Sequence, residues 1–364
     1  MASSKVKKLE LTGKKIFSRF MSAILGNRGG KEFVLPEQPK ILVYRLDERI
    51  GNGLLLLPLL QAIRTTRPDA QIHFHICQPV AGLVQLYGPK LADRVWSYNQ
   101  RHLLMNPLRY LHWLLALRKE NYDLAISSHN PDNFSQSQAV FGRFIRPKFL
   151  TGFDWKDARR YYDSAIAGRT FIHYADAQLD LWRQFYPQAQ FHTGGLTVPE
   201  EDRTIYSRLA GGAKAERNIL IWLGATGNKK LPVPAVEKII EVLQQIPDYG
   251  YRIALGPADG EYKSSLPEHL QKEVILWNKA LSDTAIFFSA FDAFVSGDTG
   301  PLHLAAALGV PTFSIFLNSN LKQYGYNIPL QHVAVDLREI SIEQMGIDLR
   351  KFLLEIPRRR SMHR

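Results

Sequence analysis

The stretch from Ala293 to Phe316 constrains the fold of this chain more than any other. Ala293 to Val295 is a short apolar run, and Ser296-Gly-Asp-Thr-Gly300 is built from the residues that turns prefer. Pro301 suits the first turn of a helix, where a missing N–H costs nothing. Leu302 to Leu308 is Ala-rich and reads as a short helix, Gly309 can end it, and Pro311 lies just beyond. Thr312 to Phe316 is a second apolar run. The pattern predicts strand, loop, helix, strand: a βαβ unit whose polar loop lies at the carboxyl end of a strand and opens onto a helix N-terminus. Ligands bind at such places in open α/β sheets, and the free N–H groups and helix dipole favour an anion. An ordinary crossover with a polar turn would look similar, so geometry alone leaves both readings open.

At 364 residues the chain fits two domains of ordinary size. One cysteine, Cys77, permits no internal disulfide framework and suits a reducing compartment. The longest apolar run, Leu54 to Leu60, is interrupted by Pro58 and is far too short to span a bilayer. No secretory h-region or cleavage site is evident, so a cytoplasmic location is expected. The net charge of +12 points to an anionic partner. No nucleic-acid module accompanies it, which leaves phosphorylated small molecules or an anionic membrane surface.

The first 36 residues are basic. Ile16, Phe17, Phe20, Met21, Ile24 and Leu25 recur at helical spacing, with Lys14, Lys15 and Arg19 elsewhere around the same segment. This is the pattern of an interfacial helix on the inner leaflet, and equally of a helix packed on its parent domain. Lys40 to Leu46 reads as a strand buried on both faces, followed by the loop Asp47-Glu-Arg-Ile-Gly-Asn-Gly53 and a helix from Leu54 to Thr66. Gln71 to Cys77 and Tyr122 to Ser128 read as further strands, and Leu83 to Tyr98 and Leu103 to Lys119 as partly helical. Gln188 to Asp202 reads as a linker. A fresh strand at Asn218 to Leu223 leads into Gly224-Ala-Thr-Gly-Asn-Lys-Lys-Leu-Pro232, and a strand at Tyr251 to Leu255 leads into Gly256-Pro-Ala-Asp-Gly-Glu261. Asn318 to Ile328 reads as a polar loop, and a helix ends the span from Ile340 to Ile356.

Asp298-Thr-Gly-Pro-Leu-His303, followed by Ala305-Ala-Ala-x-Gly-x-Pro311, closely resembles the signature of glycosyltransferase family 9, the heptosyltransferases of lipopolysaccharide core synthesis. The first strand, its Ile-Gly loop and the Leu-rich helix with a Pro resemble the opening of the same family. The resemblance implies a GT-B fold: two doubly wound, Rossmann-like α/β domains facing each other across a cleft. Residues 37–190 would form the acceptor side and 191–340 the nucleotide-sugar side, with a basic segment at 1–36 and a helix and basic tail at 341–364.

By that resemblance Thr226 and Lys229, with Lys230 close behind, contact the donor diphosphate. Asp259 reaches the ribose hydroxyls, with Glu261 in reserve. Asp298, Thr299, Gly300 and His303 line the donor sugar or steady its loop. The implied donor is a nucleotide sugar, ADP-heptose by analogy, and the acceptor a lipid-linked saccharide. No cofactor and no metal is expected, since no Asp-x-Asp motif is present.

The chain departs from the family at three places. Leu231 replaces an aromatic residue, Leu317 a glycine, and Asn52 stands where the family has its proposed general base. An amide cannot take a proton from a hydroxyl. Asp47 and Glu48, in the same loop, are the candidate replacements. Two other readings stay open: a binding protein that has lost catalysis through Asn52, and a GT-B-like epimerase or hydrolase of nucleotide sugars.

Overall fold

A computed structural model describes residues 32–99, 105–210, 215–225, 227–247 and 249–357. The N-terminal basic helix and the Arg358–Arg360 tail expected from the sequence lie outside these residues, as does Thr226.

The first half builds a six-stranded parallel sheet from β1 (Lys40–Tyr44), β2 (Gln71–Cys77), β3 (Arg94–Tyr98), β4 (Leu124–Ser127), β5 (Phe149–Phe153) and β6 (Ser164–Ile166), in the order β3-β2-β1-β4-β5-β6. The second half repeats this plan with β7 (Arg217–Trp222), β8 (Tyr249–Leu255), β9 (Val274–Leu276), β10 (Ala293–Gly297), β11 (Thr312–Phe316) and β12 (His332–Asp336). Its order is β12-β11-β10-β7-β8-β9, the same doubly wound topology read from the other edge. The central strands β1, β4, β10 and β11 are buried along nearly their whole length, which is why they read as continuous apolar runs without alternation.

This topology fixes where function can sit. The strand order reverses between β1 and β4 in the first sheet and between β7 and β10 in the second. The loops after those four strands are the switch-point loops, and they hold Asp47–Asn52, His129–Asn133, Gly224–Lys230 and Asp298–Gly300.

The helix Gly300–Ala307 is buried around its circumference from Leu302 onward, as an apolar helix between two domains must be. It ends as its sequence predicts: Gly309 adopts φ +64, and the Gly309 and Val310 N–H groups close back on Ala306 and Ala305.

The halves pack tightly. Leu55, Tyr174 and Ala175 share one cluster with Leu302, Ala306, Phe316 and Tyr326. The helix Leu281–Ser289 lies on the helix Gln78–Tyr87, and the final helix Ile342–Glu355 packs on Val233–Gln244 in the second half.

Several local expectations change. The helix expected from Leu54 is two pieces, Ile50–Leu54 and Leu57–Thr66, because Pro58 starts a fresh first turn. The helical content expected over Leu83 to Tyr98 ends at Tyr87, and β3 takes the remainder. The polar loop after Phe316 contains a short helix, Leu321–Tyr324, capped by Asn320.

Candidate active site

On the second domain, the loop after β10 buries Asp298 to 6% exposure. Lys229, at the end of the 3-10 turn Gly227–Lys229, places its Nζ 2.5 Å from the Asp298 Oδ2. The neighbouring Lys230 reaches toward Asp259, with its Nζ 3.6 Å from Oδ1. Lys230, Asp259 and Asp298 line a cleft of about 430 Å³ together with Trp222, Gly224, Thr299 and Gly300.

Gly224 is required by close approach. A Cβ there would lie 2.7 Å from Asp259 Oδ2 and 2.9 Å from Trp222 Nε1. Thr299 is the N-cap residue of Gly300–Ala307, yet its side chain makes no capping bond, and its Oγ1 is buried without a partner. A helix N-terminus beside an unpartnered hydroxyl and nearby lysines is a suitable cradle for a phosphate.

His303, one turn into the helix, bonds through Nδ1 to the Tyr326 hydroxyl at 3.0 Å. Burial pushes its imidazole down to about 4, with Asp298 and Lys229 acting in opposite directions, so the ring is neutral at physiological pH. His303 also marks where the domains meet. A Cβ on Gly51 of the first domain would lie 3.2 Å from His303 Cδ2 and 3.5 Å from the Gly300 Cα. The turn that carries Asn52 therefore abuts the N-terminus of the helix Gly300–Ala307.

In that loop Asp47 is held from three directions. Its Oδ2 accepts from Arg45 Nε at 2.5 Å and from Asn52 Nδ2 at 3.0 Å, and its Oδ1 accepts from the Arg49 N–H at 3.1 Å. Arg45 is itself buried, and burial lowers its pKa from the ordinary guanidinium value. It is anchored by the Ser128 carbonyl at 3.3 Å and by Asn130 at 2.8 Å, both on the switch-point loop after β4. Asp47 keeps 30% of its side chain exposed, and a carboxylate has lone pairs to spare after three hydrogen bonds.

Glu48 is exposed and borders a second, larger cleft of about 780 Å³. That cleft runs between the domains, from Gln78, Gln85, Ser97 and Asn99 to Leu281 and Ser282.

The structure brings together Asp47 with Asn52, Lys229 with Asp298, and Lys230 with Asp259. Glu48, next to Asp47 in the chain, lines the larger cleft. Glu261 is exposed at the start of the helix Gly260–Ser265.

Sequence reasoning considered Arg45 only as a partner of the loop carboxylates, and it overlooked Trp222 and a pair at the domain junction, Tyr174 and Asp132, whose hydroxyl and carboxylate are hydrogen-bonded. The Tyr174 phenol is raised above its ordinary value, first by burial and then by Asp132. Its ring meets Tyr324 edge-on at 5.0 Å. Arg45 and Trp222 each stand at the carboxyl end of a switch-point strand, and that position was the available signal. Among the described residues, no group of three His, Cys, Asp or Glu side chains is arranged to hold a metal ion.

Comparison with known proteins agrees with this geometry. The sequence model of glycosyltransferase family 9 (heptosyltransferase) matches residues 112–347. Lipopolysaccharide heptosyltransferase 1 of Campylobacter coli is 22% identical over 298 residues, covering 76% of this chain and 83% of that protein. The glycosyl transferase family 9 structure from Veillonella parvula superposes with a TM-score of 0.67 at 18% identity, over 87% of this chain and 97% of its own. The E. coli heptosyltransferase WaaC, solved with ADP, gives 0.65 at 18% identity, over 86% and 99%. The two sheets with their facing switch points are thus the GT-B arrangement, and the chain belongs to glycosyltransferase family 9, the heptosyltransferases.

Proposed function

We propose that this glycosyltransferase moves heptose from ADP-heptose to a saccharide of the lipopolysaccharide core, or a related cell-surface saccharide, by a metal-independent inverting displacement. The observation that carries the reading is the Asp47–Asn52 hydrogen bond beside Gly300. It supports a carboxylate at the place in the cleft where the family has one, supplied from five residues earlier in the chain. The name of the Campylobacter coli relative and the ADP in the E. coli structure support the heptose and the nucleotide.

In this mechanism the acceptor hydroxyl attacks the anomeric carbon while Asp47 takes its proton. Arg45 and Asn52 hold the carboxylate in position, so it meets the hydroxyl without reorganising. ADP leaves from the opposite face, and inversion follows from the single displacement. Negative charge grows on the diphosphate, where Lys229, the Thr299 hydroxyl and the first N–H groups of Gly300–Ala307 are aimed. Thr226 joins them by family analogy. Asp259 takes the ribose hydroxyls, as carboxylates do in dinucleotide folds, and Lys230 holds it in place. Asp298 orients Lys229 and faces the donor sugar, while His303 braces the loop through Tyr326. The body of the acceptor lies in the larger cleft, whose amides and hydroxyls suit a polyhydroxylated ligand, and its reacting hydroxyl extends past Glu48 to Asp47.

The test is nucleoside diphosphate release from a panel of nucleotide sugars, with and without a truncated lipopolysaccharide acceptor. Release from ADP-heptose that depends on acceptor, with an inverted anomeric configuration in the product, supports the proposal. ADP-heptose binding without release from any donor would replace it with the binding-protein reading.

A further inference from the structure

The helix Pro107–Lys119, between β3 and β4, has one face left exposed among the described residues. Its inner face is well used. Trp113 stacks on Tyr110 and Phe141, Leu117 is fully buried, and Leu114 packs into the same cluster. Its outer face is apolar where a solvated helix would be polar. Leu108 is 71% exposed, Leu111 45% and Leu115 40%, and Met105, just before the helix, is 82% exposed. The three leucines recur at spacings of three and four residues and therefore form one stripe.

The charges beside the stripe have one sign. Arg109 and Lys119 are exposed on the same side, with His112 between them, and residues 105–119 contain no Asp or Glu. The nearest carboxylate in sequence, Glu120, is already paired with Lys40 and Arg94.

We propose that this face docks on an anionic phospholipid surface. Exposed leucines at helical spacing, flanked by cations and free of carboxylates, match the composition that seats a helix in a lipid interface. A protein partner of ordinary surface character would meet a mixed rim instead. Leucines enter the acyl boundary while Arg109 and Lys119 reach the lipid phosphates. Asn99 lines the larger cleft, and the helix begins eight residues later in the chain. Docking there places the first domain, the acceptor side in the reading above, on the membrane. That consequence for catalysis rests on the acceptor reading above, whereas the docking itself does not.

The experiment is co-sedimentation of the full chain with vesicles of phosphatidylcholine alone, and with roughly one-third phosphatidylglycerol added. The full chain is expected to sediment with the anionic vesicles only. The variant Leu108→Glu/Leu111→Glu/Leu115→Glu is expected to lose about tenfold in binding, while its turnover of a soluble, truncated acceptor is retained. A second full-length variant, Arg109→Glu/Lys119→Glu, changes only exposed side chains and guards against misfolding of the first; it is expected to lose binding and to make the remainder insensitive to salt. Undiminished binding in both variants would overturn the proposal and assign any membrane contact to the N-terminal segment. Light scattering that shows a dimer in the parent and a monomer in the leucine variant, with no vesicle binding by either, would overturn it in favour of a second copy. Loss of vesicle binding with retained soluble turnover separates this proposal from the sugar chemistry, which fails independently if no donor is turned over.

Discussion

The side-chain amide of Asn52 donates a 3.0 Å hydrogen bond to the carboxylate of Asp47. On the proposed reading Asn52 stands at the position of the family's base, so the amide and the carboxylate sit together where one carboxylate would otherwise serve. Arg45 fixes the other side of Asp47 and is itself held by the loop after β4. The arrangement lets Asn52 orient the Asp47 carboxylate.

In the proposed mechanism Lys229 contacts the leaving diphosphate, and its removal tests the donor side directly. A charge-assisted hydrogen bond of this kind contributes about 1.5–3 kcal/mol, so Lys229→Ala should weaken ADP binding roughly tenfold to a hundredfold. Isothermal titration with ADP measures this. Melting should also fall slightly, because Asp298 stays buried and loses its cation. Unchanged ADP affinity would place the diphosphate elsewhere.

Gly224 tests the shape of the same cleft. Gly224→Ala puts a methyl group against Asp259 and Trp222, and overpacking of this sort costs about 1–3 kcal/mol. The expected result is a Tm lower by a few degrees and weaker nucleotide binding. If Asp259 serves the ribose, the affinity loss should be larger for ADP than for inorganic pyrophosphate, which has no ribose.

Much of the fold is legible in the sequence, because parallel strands buried on both faces must be apolar throughout. The runs at Lys40–Tyr44 and Thr312–Phe316 announce themselves this way. The edges do not. Arg94–Tyr98 carries an arginine and a serine on an outer strand, and Ser164–Ile166 is three half-buried residues. Neither gives a periodic signal. The site is legible where its residues are local, as with Asp47, Asn52 and the Asp298–His303 loop. Contacts made by folding are not: Arg45 finds Asn130 across 85 residues, and Gly51 meets His303 only when the domains pack.

The buried histidines set the response to acid. Burial holds His75 down to about 3, and His73, His303 and His332 down to about 4. Between those values and the ordinary value near 6.5, the unfolded chain binds protons that the folded chain refuses. Stability therefore falls as pH drops through that window, by up to about 1.4 kcal/mol per pH unit for each histidine. Calorimetry from about pH 7.5 to about pH 5 should show a steep loss of Tm, made shallower by His332→Gln. A Tm that stays flat over this range would contradict the burial of these rings as neutral groups.

The central claim is that Asp47 is the base and Asn52 its support. The most direct measurement is the kcat of Asp47→Asn, alone and combined with Asn52→Asp, using ADP-heptose and the truncated acceptor. The account predicts that Asp47→Asn lowers kcat by roughly a hundredfold to ten-thousandfold, the range ascribed to a positioned base, with ADP affinity unchanged. Adding Asn52→Asp should recover part of that loss by returning a carboxylate to the same place. An Asp47→Asn enzyme with nearly parental kcat would contradict the claim and remove Asp47 from the chemistry.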